Sequence, residues 1–196
     1  MPPLKFDSPR TRLGLAILVA AFSSAAHGAD PRDMEGLVRT YWSHMAHSDY
    51  RGAAATICSD DLARLKSQVL PVLLDAGKST DPDSRALAEL FFSGTPSARR
   101  PDMSGQDVYA GLGALVMEND PGYGQLRNGV LQKLTFDAID ATQTKVSYEM
   151  LVGTTRFANA DIVRTTDHGS CLALQMQPAA MAATLRRVLR ADDKAP

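Results

Sequence analysis

Asp167, His168, Gly169, Ser170 and Cys171 place an acid, an imidazole, a hydroxyl and a thiol within five consecutive residues of the stretch "VRTTDHGSCLAL". Nucleophilic sites are built from these side chains, with an imidazole taking the proton of a thiol or hydroxyl. The spacing argues against that use here. A histidine three residues before a cysteine, across a tight turn, does not aim its ring at the sulfur, and no third group orients the imidazole. Gly169 supplies the backbone freedom of a hairpin turn. The stretch therefore reads as a turn entering a strand, and only His168 stays a candidate for binding a ligand or partner.

A second set of candidates is His44, His47 and Asp49 in "HMAHSD". Imidazoles three apart on a helix can share a metal, to which His168 would add a third ligand. The set lacks the multi-ligand spacing of a zinc motif, and His47 falls off the apolar helix face, so no metal is expected. No cofactor is expected either. There is no phosphate-cradling glycine loop and no nucleophile elbow, and "GQDVYAGLGALV" follows no strand and fails the dinucleotide fingerprint. The two cysteines, Cys58 and Cys171, read most simply as a disulfide in an oxidising compartment. Such a bridge is worth about 4–5 kcal/mol at most by loop-closure arithmetic. Two buried free thiols are the alternative.

The N-terminus bears on the compartment. Lys5, Arg10 and Arg12 precede the apolar run "LGLAILVAAF", and Ala26 and Gly28 are small residues at the positions a signal peptidase reads. Residues 1–28 are expected to be a secretory signal, since the run is too short for the ~20 residues that span a bilayer. Residues 29–196 are then one exported domain, soluble, without a membrane span, and periplasmic if the source is a Gram-negative bacterium. The whole chain carries 21 basic and 22 acidic residues; losing Lys5, Arg10, Arg12 and Asp7 leaves 18 and 21, a net charge of −3. That balance predicts no nucleic-acid partner.

The elements that must position any site change period near mid-chain. Asp30-Pro31 opens a helix whose Met34, Leu37, Val38, Tyr41, Trp42 and Met45 share one face. Asp49 caps a short helix over 50–57, and Ser59 caps a third with Leu62, Leu65, Val69, Leu70, Leu73 and Leu74 in a stripe. Pro71 should kink or break that helix, and Gly77 should end it. Asp81-Pro82 starts a fourth. Ser104 with Asp107 forms a capping box for a fifth. Strands follow in "VLQKLTFDAID", "KVSYEMLVG", "TTRFANADIVRTT" and "CLALQM", with Val146, Tyr148, Met150 and Val152 on one side of the second. Pro178 opens a last helix with Met181, Leu185, Val188 and Leu189 inward. The expected class is α+β: N-terminal helices on a four-stranded antiparallel curved, cone-like sheet, with a C-terminal helix.

This order resembles the nuclear transport factor 2-like superfamily, which includes ketosteroid isomerase-like domains. "YWSHMAHSDYRGAAATI" resembles its opening helix, acid-aromatic turn and short helix, and "ADIVRTTDHGSCLALQM" its last hairpin. The resemblance covers 33–57 and 130–176. It departs where Ser170-Cys171 replace the usual tryptophan, in the extra helix of 59–128, and in the C-terminal helix. It implies an apolar cavity used for catalysis, ligand binding or dimerisation, so a homodimer is compatible with it. A proton-transfer enzyme of the ketosteroid isomerase kind needs a carboxylate tuned by burial opposite a hydroxyl donor. Asp161 or Asp137, with Tyr41, Tyr148 or Tyr50, could supply these. The leading expectation is a non-catalytic exported domain that binds a protein partner or a small apolar ligand, with an immunity or inhibitor protein against a secreted toxin as one form. Tyr41, Tyr148, Asp161 and His168 are its candidate binding residues. The alternative is a small-molecule cavity enzyme of isomerase, dehydratase or hydrolase type. That alternative requires a deep pocket holding at least one desolvated aspartate or glutamate that faces a tyrosine or histidine.

Overall fold

The computed structural model describes residues 30–119 and 125–191; the expected signal segment lies outside them. Helix α1, Pro31–Ala46, begins where the Asp30 carboxylate accepts the Arg32 N–H at 2.8 Å, with proline at the first helical position. It buries Met34, Val38 and Met45. Asp49 then caps α2, Tyr50–Ala55, by accepting the Gly52 N–H at 2.8 Å. This helix is shorter than expected because Thr56 and Cys58 leave it to pair with Leu172 through backbone bonds of 2.9 Å each.

Helix α3, Ser59–Ala76, is capped by Cys58 rather than Ser59, with no side-chain cap bond. Of the kink or break expected at Pro71, the break does not occur: the helix continues through it. Proline inside a helix costs ~3 kcal/mol, but Val69, Leu70, Val72 and Leu73 are buried on either side of it. Four such side chains gain more than that on leaving water, at ~1.5–3 kcal/mol each. Helix α4, Pro82–Phe91, starts from the Asp81 carboxylate, which accepts the Ser84 N–H at 2.6 Å. A 3₁₀ turn, Ser97–Asp102, lies between α4 and the next helix. Helix α5, Gly105–Asn119, carries the expected capping box: Ser104 N–H donates to Asp107, and Asp107 N–H donates to the Ser104 hydroxyl. Its first glycine allows close approach to α3, since a Cβ at Gly105 would lie 2.4 Å from the Leu62 carbonyl oxygen.

The strands β1 (Val130–Ala138), β2 (Gln143–Val152), β3 (Thr155–Thr166) and β4 (Gly169–Leu172) form one antiparallel sheet in the order β1-β2-β3-β4, not closed on itself. A bulge interrupts β1 between Gln132 and Thr135, where Lys133 has φ 51°. Val146, Tyr148 and Met150 of β2 and Asp161 and Val163 of β3 are buried on the helix-facing side. Strand β4 ends at Leu172, short of the expected 176, because the Leu174 N–H turns to the Asp61 carboxylate at 3.0 Å. A final helix, α6 (Pro178–Ala191), packs on α3. Met181, Leu185 and Leu189 lie against the core, whereas Val188, expected inward, is 53% exposed at the edge of that stripe. The architecture is α+β, and no helix among the described residues is long and apolar enough to cross a membrane.

Cys58 and Cys171 meet as a disulfide pair with Cα atoms 4.9 Å apart and 113 positions of separation. Closing so long a loop removes unfolded-state freedom, so replacing both cysteines with serine is expected to cost about 2–4 kcal/mol. The measurement is urea unfolding of oxidised wild type against the double variant. An unchanged midpoint would show that the bridge does not stabilise the fold.

A polar end in an apolar cavity

The sheet register decides which β-strand groups meet. Asp161 on β3 lies directly opposite Val146 on β2. Tyr148, two residues further along β2, is therefore its diagonal neighbour on the same face. The Tyr148 hydroxyl donates to Asp161 Oδ2 at 2.6 Å and accepts from Trp42 Nε1–H on α1 at 2.9 Å. The other carboxylate oxygen accepts from the Gln175 side-chain amide, which also reaches the Ala160 carbonyl. Beside this group, the hydroxyls of Tyr41 on α1 and Tyr109 on α5 share a hydrogen bond of 2.8 Å. Two hydroxyls joined by one hydrogen bond use one of their two protons, so the accepting tyrosine keeps an O–H for another partner.

These groups form one end of a cavity of about 340 Å³. Leu112, Val116, Met117, Leu172, Met176 and Met181 line the rest. Val116 is 42% and Met176 56% exposed, which places them at the mouth. Asp161 itself is only 7% exposed. Its pKa is raised, because burial penalises the charged form more than the bonds from Tyr148 and Gln175 and the nearby Trp42 indole favour it. Burial likewise lifts the phenols of Tyr41, Tyr109 and Tyr148, with the Asp161 charge adding to the rise in each. All three remain neutral hydrogen-bond donors at neutral pH.

Of the residues singled out by sequence, Tyr41, Tyr148 and Asp161 come together here. His168 does not: it is exposed in the turn between β3 and β4 and does not line this cavity. Asp137 is exposed on β1 opposite Lys145. Tyr50 is buried elsewhere and accepts from Arg127 at 2.7 Å. His44 and His47 spend their Nδ1 atoms on separate local partners, Asp49 Oδ2 at 2.8 Å and the Ser43 carbonyl at 2.7 Å. With Cys171 bonded to Cys58, the stretch around His168 offers no thiolate.

Tyr109 and Gln175 were missed. Tyr109 shares a helical stripe with Leu112 and Val116, and Gln175 is a polar residue inside the otherwise apolar run "CLALQM". Either signal marks a place where a polar group enters an apolar setting. No protein-family model matches the chain, and no curated protein or solved structure shows significant similarity to it.

The carboxylate makes a definite statement about pH. Its folded pKa lies above the unfolded value of ~3.9, so the folded state binds its proton more tightly. That contribution to stability is complete below about pH 3.9 and is lost as pH rises through the raised folded pKa. Asp161→Asn does not titrate. Relative to wild type, it is expected to gain stability between about pH 4 and about pH 7. Urea unfolding at both pH values checks this, and a difference that stays flat would show that the carboxylate is not desolvated.

Proposed function

We propose that this protein is an exported domain that binds one small, largely apolar molecule carrying a polar head. The cavity carries the reading. Its volume falls within the ~300–1,000 Å³ of small-molecule sites, and it has their usual make-up of apolar walls with a few convergent polar groups. The methionines at positions 45, 117, 176 and 181 on its lining suit an adaptable apolar surface. A long helix, an acid-aromatic turn, a short helix and a closing antiparallel meander around a cavity support the nuclear transport factor 2-like resemblance. The paired cysteines support an oxidising compartment and, with the basic and apolar start of the chain, export to a periplasm.

Trp42 is the one tryptophan of the sequence and lines the cavity, so its emission reports on occupancy. Neutral alcohols from hexanol to decanol are expected to change that emission saturably and to give matching calorimetric isotherms. Val116→Phe, at the mouth, is expected to weaken them about tenfold (~1.4 kcal/mol). Its unfolding midpoint should stay close to wild type, as surface substitutions usually leave it. Absence of saturable binding by the whole panel would overturn the reading.

One observation favours a second reading. A desolvated carboxylate stands in an open pocket near a tyrosine pair with a spare proton, the arrangement that removes a proton beside a carbonyl and steadies the resulting enolate. On that reading wild type catalyses deuterium uptake at the carbon next to the carbonyl of a small ketone, and Asp161→Asn does not. Equal exchange rates for the two proteins would remove it.

A further inference from the structure

Among the described residues two aspartates are buried, and the molecule treats them differently. Asp61, 6% exposed, is bonded by the guanidinium groups of both Arg64 and Arg164. Asp161, 7% exposed, is bonded only by neutral donors, the Tyr148 hydroxyl and the Gln175 amide. Among the described residues no lysine, arginine or histidine pairs with Asp161, and none lines the cavity. Buried charges in proteins are ordinarily paired, because neutral hydrogen bonds do not cancel the cost of taking an ion out of water. A carboxylate has about four acceptor positions, so two donors leave room for another.

The surroundings of this carboxylate suit a cation. Tyr41, Trp42, Tyr109 and Tyr148 all line the cavity. Neighbouring rings are set on edge rather than stacked: Tyr41 and Trp42 lie 5.2 Å apart at 78°, and Trp42 and Tyr148 lie 6.3 Å apart at 72°. Aromatic walls of this kind attract organic cations through the negative ring faces, tryptophan most strongly. The same acidic end repels an anionic head, and no cationic side chain on the lining offsets it. Beyond this end, Leu112, Val116, Met117 and Met181 provide the apolar space for a hydrocarbon body.

From the counter-ion missing at Asp161 and the aromatic lining around it, we infer that the ligand is a cationic amphiphile, an ammonium head on an apolar body. The head is the counter-ion of Asp161, and the body fills the space toward Val116 and Met176. Fatty acids and other apolar anions are excluded by the same charge. This inference rests on the small-molecule reading of the cavity and names its ligand class.

The test compares octylamine, octanol and octanoate, which share one chain and differ in the charge of the head. Binding to the full exported protein is read at about pH 7 by calorimetry and by Trp42 emission, with wild type and Asp161→Asn. Octylamine is expected to bind at least about tenfold more tightly than octanol (~1.4 kcal/mol), with octanoate weakest. In Asp161→Asn, octylamine should fall to the affinity of octanol while octanol is little changed. Octanol matching or exceeding octylamine in wild type would overturn the cation assignment and leave the cavity reading intact, as would a preference that survives in Asp161→Asn. Failure of all three to bind would overturn both. The wild-type comparison decides the matter even if the variant does not fold.

Discussion

The corner where residues 56–61 meet residues 171–174 holds the rest of the site in register. Three different interactions converge on it. Backbone bonds run from Cys58 N–H to the Leu172 carbonyl and from Leu172 N–H to the Thr56 carbonyl. The Cys58–Cys171 bridge lies beside them. Asp61, held by Arg64 and Arg164, accepts the Leu174 N–H. The next residue is Gln175, whose amide reaches Asp161. The polar end of the cavity thus depends on a chain of constraints that begins at the start of α3. Paired, hydrogen-bonded charge is strongly destabilising to break, because one partner is left buried and alone. That makes the Asp61 cluster a rigid anchor even where the net worth of its ion pairs is small.

Asp161 shows the opposite use of a buried carboxylate. Its neutral donors fix its orientation without supplying a counter-ion, which leaves a desolvated carboxyl group facing a space large enough for a small molecule. Such a group lowers stability wherever it is ionised, since its charge is taken out of water without a cation beside it. The position of Trp42 matters for the same reason. Its indole N–H fixes the Tyr148 hydroxyl, so the proton of that hydroxyl points at the carboxylate.

Much of the fold was legible because local chemistry and packing agree. Asp30, Asp49, Asp81 and Ser104 all begin helices as their types predict, and the alternation of Val146, Tyr148 and Met150 puts them on the buried face. The misses are places where tertiary contacts override local signals. Pro71 fails to break α3 because both flanks are buried, α2 ends early because residues 56–58 are recruited by Leu172, and β4 stops because Asp61 draws away Leu174. The site was half legible. Tyr41, Tyr148 and Asp161 were candidates by residue type, but their meeting depends on strand register and on the approach of α1, neither of which is written in any one segment. Tyr109 and Gln175 come from segments whose role is set only by that approach.

The two borders of the sheet are interrupted by different means. Along β4, residues 56–58 lie alongside, and Ile57 forms a parallel bridge to Leu172. Along β1, the bulge at Lys133 breaks the regular ladder of unpaired backbone groups and sets a charged side chain there. An uninterrupted border would be a template for a strand from another chain. The regular ladder is interrupted on each border, at Leu172 by residues 56–58 and in β1 by the bulge, and each interruption shortens the stretch to which another strand could add.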